Sequence, residues 1–209
     1  MGSLISVFAK PRETPLADDL VLGATGHSDP AIFTLVSRMQ EKVHGLDQMT
    51  VAAECLDHMA AGIDTTGDAL CFLMWELSQP RSMAVQRKLQ LELRQNSAAA
   101  ATETTDTKKF DELPYLDAVV MEGLRCFPAI PMSLPRYVPE GGRDIEGYFV
   151  PGGTVVNCQA FSTHRIDQDV FPEPDLFRPE RWLEEEGAVE RKKLFFAFAN
   201  GGRGCVGKQ

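Results

Sequence analysis

The chain has 209 residues, 44% hydrophobic and 24% charged, which suffices for one domain with a real core. A formal net charge of −9 argues against a nucleic-acid partner. Five cysteines without paired spacing (Cys55, Cys71, Cys126, Cys158, Cys205) argue against a disulfide scaffold, and four scattered histidines offer no zinc-ligand spacing.

Residues 1–28 carry Pro11, Pro15, Gly23 and Gly26 without a sustained period and read as a loose lead-in. The opening run lacks a basic start and does not read as a signal peptide. Asp29-Pro30 supplies an N-cap and a favoured first helical residue, and Gly45 a stop, which predicts a short helix over Pro30–His44. A second helix is predicted from about Gln48 to Gln79, closed by Pro80 and roughly 48 Å long. Its apolar residues lie on nearly every side, so it is expected to be buried all round. Ser82–Gln95 reads as an amphipathic charged helix, and the Ala/Thr-rich stretch of about 96–109 as a flexible surface insert.

Pro114–Phe127 is a further helix, with proline near its start and Pro128 after it. Beyond Pro131 the texture changes. Tyr148–Val150 and Thr154–Asn157, set off by Gly141-Gly142 and Pro151-Gly152-Gly153, read as short strands and turns. Phe171–Trp182 holds three prolines and reads as an ordered, irregular loop. The whole is a mainly α protein with a small β part. No run reaches the roughly 20 apolar residues that cross a bilayer.

Ala61-Gly62-Ile63-Asp64-Thr65-Thr66 places glycine and two β-branched hydroxyl residues inside the long helix, where they are poor choices. Close helix packing at Gly62 is one reading. The other is a hydroxyl that loosens the ladder and opens a groove for a small ligand, with Asp64 as a proton carrier. Glu122 and Arg125, three apart on one helix face, read alone as a solvated ion pair.

Phe198–Gly207 reads F-A-N-G-G-R-G-C-V-G. Its glycines permit positive φ and a backbone lying flat against a planar object. Arg203 offers five donors to a carboxylate, and Cys205 a thiolate for a metal. Read blandly, Cys205 is a small hydrophobe in a glycine turn. A phosphate loop fits poorly, since no Lys-Ser/Thr pair follows.

Phe198, Gly201, Arg203, Cys205 and Gly207 together make F-x-x-G-x-R-x-C-x-G, which resembles the haem-thiolate signature of the cytochrome P-450 monooxygenases. Ala61–Thr66 resembles that family's A-G-x-D-T-T oxygen-activation segment, and Glu122–Arg125 its E-x-x-R pair, followed by Pro179-Glu180-Arg181-Trp182 in place of its P-E-R-F. The motifs keep the family's order over residues 61–207, about three quarters of the chain. The resemblance implies haem b with Cys205 as axial ligand of the iron. Thr65 and Asp64 would be the catalytic residues that handle protons. Arg203 and, in Leu134-Pro135-Arg136, Arg136 would pair with the haem propionates, and Phe198, Gly201 and Gly207 would line the cofactor. Glu122, Arg125 and Arg181 would form a structural lock.

The implied reaction inserts one atom of dioxygen into a small apolar substrate, with electrons drawn from NADPH through a flavoprotein reductase. The P-E-R-W and G-G-R-G-C forms look like microsomal members, which implies a parent at the endoplasmic reticulum membrane. The implied fold is a partial cytochrome P-450 fold over 29–209: long central helix, E-x-x-R helix, meander and cysteine loop. The family's N-terminal half and post-cysteine helix are expected to be lacking. The alternative expectation is therefore a truncated, non-enzymatic chain with weak or no haem binding.

Overall fold

The computed structural model describes residues 45–100, 112–132 and 134–208, together with 39 and 110. The lead-in (1–28), the expected helix Pro30–His44 apart from Met39, and residues 101–109 of the expected insert lie outside the described residues. The chain divides into two compact units, one ending at Ile63 and one running from Asp64. The mainly α architecture with small antiparallel sheets matches the sequence reading.

Helix α1 spans Gln48–Leu77. In the first unit its start is capped by Asp47, whose Oδ1 accepts the Met49 and Thr50 N–H groups at 2.8 and 3.0 Å. Its Oδ2 accepts the Thr50 hydroxyl at 2.8 Å. These bonds satisfy donors that a helix start leaves open and favour negative charge there. At the other end Ser78 N–H is shared between the Met74 and Trp75 carbonyls, and the chain turns out of the helix two residues before the expected Gln79.

The expectation of all-round burial fails. Met59 and Ile63 in the first unit, and Leu70, Phe72, Met74 and Trp75 in the second, are half or more exposed. Within the second unit only a stripe of α1 meets neighbouring helices: Leu73 and Leu77 pack against the core cluster of Tyr115, Val119, Cys126 and Phe177. The helix continues through Ala61–Thr66.

After a 3-10 turn at Pro80–Ser82 comes α2, Met83–Ala100, which carries helix five residues into the segment read as an insert. The turn is held by buried Glu76, which accepts Arg81 Nε at 2.9 Å and the Ser82 hydroxyl at 2.6 Å. Helix α3 covers Pro114–Cys126, with Pro114 at its first position and no side-chain cap of its own. Glu92 of α2 supplies one, its two oxygens accepting the Tyr115 and Leu116 N–H groups at 3.0 and 2.9 Å. Gly123 lets α1 approach, since a Cβ there would lie 2.9 Å from Leu73 Cδ1.

Two short antiparallel sheets follow. Strand β1 (Arg136–Tyr137) pairs with β4 (Val155–Val156), and β2 (Arg143–Ile145) with β3 (Tyr148–Val150). The β2–β3 turn has positive φ at both Glu146 (50°) and Gly147 (84°), the twist that a two-residue hairpin requires. Gly142 sits at φ 78°, and a Cβ there would strike Phe149 Cζ and come within 2.8 Å of the Val150 carbonyl oxygen. Gly142→Ala is therefore expected to destabilise the protein by about 1–3 kcal/mol, read as a lower urea midpoint at constant m-value.

The remaining elements are α4 (Ala160–Ile166), a 3-10 turn at Pro179–Trp182, α5 (Ala188–Leu194), and 3-10 turns at Gly201–Arg203 and Val206–Lys208. Among the described residues no helix is long and apolar enough to cross a membrane.

Candidate functional site

Read alone, Glu122 and Arg125 suggest a solvated pair. In the structure both are fully buried, as is Arg181. Glu122 Oε1 accepts Arg125 Nη2 at 2.9 Å, Arg181 Nε at 3.1 Å and the Arg178 N–H at 2.9 Å. Glu122 Oε2 accepts Arg125 Nε at 2.8 Å and the Trp182 indole N–H at 2.9 Å. Burial pushes the Glu122 carboxyl pKa up. The hydrogen bonds and charges of Arg125 and Arg181, with the Arg178 amide, more than reverse this and hold it below the usual carboxylate range.

The guanidinium edges turned away from Glu122 serve the irregular loop between α4 and the Pro179–Trp182 turn. Arg125 Nη1 donates to the Pro174 carbonyl at 2.7 Å, and Arg125 Nη2 to that of Leu176 at 3.2 Å. Arg181 Nη1 donates to Pro172 at 3.0 Å, and Nη2 to Leu176 at 3.3 Å. A segment with two prolines, Pro172 and Pro174, and no ladder thus has its carbonyls satisfied by side chains. Beside the cluster, burial and then the Glu122 charge push the Cys126 thiol up to about 12, which keeps it protonated and unsuited to metal ligation.

An aromatic row leads from this cluster toward Cys205. Trp182 meets Phe195 edge-on at 5.4 Å between ring centroids, and Phe195 meets Phe198 at 6.4 Å. The loop that follows folds back on itself: Cys205 N–H donates to the Phe198 carbonyl at 2.9 Å, and Gly204 N–H to that of Gly201 at 3.0 Å. Positive φ at Ala199 (55°) and Gly201 (70°) makes the reversal, glycine being the easier occupant. Cys205 ends exposed, with its Sγ 3.8 Å from where a Cβ on residue 207 would stand. A side chain at 207 would therefore meet the sulfur only at ordinary van der Waals distance.

Cys205 and Thr65 line one cavity of about 490 Å³, a volume typical of small-molecule sites. Arg203, Phe198 and Gly207 share the wall, with Leu70, Leu73 and Leu124 among its apolar parts. The Cys205 sulfur, the Arg203 guanidinium and apolar walls fit a flat, largely apolar ligand that bears an acidic group and a metal. Not every anticipated residue is here. Gly201, Asp64 and Arg136 are not in the cavity wall; Asp64 is exposed on α1, and exposed Arg136 donates from Nη1 to the Pro135 carbonyl at 2.9 Å.

Sequence reasoning gave no role to two residues that the structure makes central. Trp182 completes the coordination of Glu122 by its indole N–H, and its place within P-E-R-W was the available signal. His164 is fully buried between the Arg125 carbonyl and the Phe196 N–H, at 3.0 and 2.8 Å. His164-Arg165 also resembles a recurrent family segment and reads as a satisfied structural pair, but both partners of the ring are backbone groups, so the sequence assigns it no role.

Comparison with known proteins bears on the family and the fold. The sequence profile of the family described as Cytochrome P450 matches residues 5–209. Cytochrome P450 monooxygenase hkm5 of Aspergillus hancockii is 36% identical over 158 residues, 75% of this chain and 30% of that protein. The Claviceps fusiformis protein named inactive cytochrome P450 monooxygenase cloA is 40% identical over 157 residues, 74% of this chain and 29% of its own length. Among solved structures, retinoic acid-bound cyanobacterial CYP120A1 is similar with a TM-score of 0.69 at 24% identity, over 83% of this chain and 38% of that one; the likeness is one of fold. The chain spans about 30% of the length of the curated relatives it matches. With the family profile matched over nearly its whole length, this chain belongs to the cytochrome P450 family.

Proposed function

We propose that residues 29–209 form a haem-binding portion of a haem-thiolate monooxygenase, with Cys205 as the thiolate that would ligate the haem iron. The observation that carries this reading is the cavity shared by Cys205, Arg203 and Thr65. Haem b bound there supplies dioxygen activation for inserting one oxygen atom into an apolar substrate, fed with electrons from NADPH through a flavoprotein reductase.

This chain's own residues do the rest. Cys205 presents its sulfur from a loop closed by its own N–H bond to Phe198. Arg203 would pair with a haem propionate, and Arg136 is the second candidate for that pairing. Phe198 and Gly207 line the cavity, while Gly201 shapes the turn. Thr65 holds a proton donor in the cavity, and Asp64, next to it and exposed, exchanges protons with solvent. Glu122, Arg125 and Arg181 fix the Pro172–Leu176 loop, and Glu122 holds Trp182, the first ring of the aromatic row. The acceptor is a small apolar molecule, in keeping with the leucine-lined wall.

The test is spectroscopic. Haem is added to the purified chain, reduced with dithionite and exposed to carbon monoxide. The expected result is a red-shifted Soret band of thiolate type, absent in Cys205→Ser and retained in Cys158→Ser, whose cysteine lines the same cavity. A wild-type chain without that band overturns the reading.

A second reading is favoured by the Claviceps relative whose name calls it inactive. In it the chain belongs to the same lineage but performs no oxygenation. A thiolate-type band without substrate turnover in the presence of a reductase would select it.

A further inference from the structure

His164 is held from both sides by backbone. Its Nδ1 lies 3.0 Å from the Arg125 carbonyl oxygen, and its Nε2 lies 2.8 Å from the Phe196 amide nitrogen. A carbonyl only accepts and an amide N–H only donates. Nε2 must therefore be the bare acceptor and Nδ1 the protonated donor. The Arg125 side chain returns the contact, Nη1 donating to the His164 carbonyl at 3.3 Å. The imidazole ring also stacks on Phe195, 5.5 Å between centroids and 11° from parallel.

From Phe196 the bonding continues to the cysteine. The Phe196 carbonyl accepts Ala199 N–H at 3.1 Å, and the Phe198 carbonyl accepts Cys205 N–H at 2.9 Å. The span from α5 to Cys205 has no strand partner among the described residues, and Phe196 N–H is bonded to nothing but this ring nitrogen in the bonds described. We propose that His164, as a neutral Nδ1–H imidazole, is the positioning residue that transmits the buried Glu122–Arg125 arrangement to the cysteine loop. Its Nε2 sets the height of Phe196 and so the aim of Cys205. The proposal rests on the haem-thiolate reading for its consequence, but the bridge itself is testable without haem.

The burial that surrounds the ring supports a neutral state, with the pKa pushed down to about 4, burial being the main cause and the Arg125 and Arg165 charges adding to it against Glu122.

Three variants separate the two arms. His164→Phe keeps the stack and removes both polar partners. His164→Gln puts an amide near the Nε2 position, within reach of Phe196. His164→Asn puts one near the Nδ1 position and retains only the Arg125 bond. In the haem-free full chain, nitrogen-15 NMR should show the Nδ1–H tautomer for His164. Phe196 amide exchange should quicken about tenfold in His164→Phe, the size of one net hydrogen bond. His164→Asn should match it, and His164→Gln should stay near wild type. An Nε2–H tautomer, or better protection in Asn than in Gln, overturns the proposal, because a residue that merely fills space or anchors α3 gives that order.

With haem added, the thiolate-type fraction of the carbon monoxide band should follow the same ranking, Gln above Asn. A ranking reversed there also overturns it. If wild type shows no thiolate band while the exchange ranking holds, the haem reading fails and the bridge stands.

Discussion

Replacing Glu122 with alanine should destabilise the protein by about 3–5 kcal/mol, the range found when one member of a buried ion cluster is removed. The carboxylate is fully buried and accepts from Arg125, Arg181, Trp182 and the Arg178 amide. Without it, two buried guanidiniums face each other with no counter-charge, and an indole and an amide N–H lose their acceptor. Glu122→Gln keeps one acceptor oxygen and much of the shape, so about 1.5–3 kcal/mol is expected, as for a bond to a charged group. Urea unfolding monitored by Trp182 and Trp75 fluorescence measures both. A loss under about 1 kcal/mol in Glu122→Ala would mean that the arginines find other partners, which the burial of all three opposes. Swapping the three charged residues together for apolar ones, neutral in some proteins, is not expected to be neutral here, because the carbonyls of Pro172, Pro174 and Leu176 would lose their donors.

Acid should weaken the fold in two stages, with His164 governing the first. Above pH 6.5 the ring is neutral whether the chain is folded or not, and its contribution is fully present. As pH falls from 6.5 toward about 4, unfolded chains take up a proton that the folded site refuses, and stability is lost. The gap between those two values is worth on the order of 3 kcal/mol. Glu122 acts lower. Its folded carboxyl titrates below the ordinary range, so its contribution is present above the unfolded value and lost as pH falls through the folded one. Unfolding free energies from pH 7 to pH 4 should therefore slope steeply in wild type and flatten in His164→Phe. Parallel profiles would assign the acid sensitivity to other groups.

How much of this could be read from the amino acids depends on which groups bond. Helix α1 was legible because its length and the Pro80 stop are local signals, and its end falls within two residues of the expected one. Its partial exposure was not legible, since the apolar pattern records what a helix can bury and not which neighbours cover it. Strand β3 was visible as Tyr148–Val150, yet its partner β2 was missed. The turn between them is Glu146-Gly147, and glutamate at positive φ carries no turn signal where asparagine would have. For the site, the spacing of Glu122 and Arg125 suggested only a surface pair. The P-E-R-W segment, some 60 residues on, was what gave it another meaning. Cys205, Arg203 and Thr65 were found by motif, and the cavity brings those three together. Asp64 and Arg136 were named on the same grounds, and neither lines that cavity. His164-Arg165 was visible as a family-like structural pair, but the role of His164 was not, because backbone groups of Arg125 and Phe196 have no signature in a sequence.

The loop from Pro172 to Leu176 has a consequence for how the protein assembles. Its carbonyls are held by Arg125 and Arg181, and Arg125 belongs to a helix that ends 46 residues earlier in the chain. Arg181 is close enough in sequence to hold the Pro172 and Leu176 carbonyls, but the Pro174 carbonyl has its donor only once α3 presents Arg125. Loop and helix must then gain and lose structure as one cooperative unit, closing over a long stretch of chain in a single late event. The fold's least regular segment is thereby bound to one of its most regular, and neither can open alone.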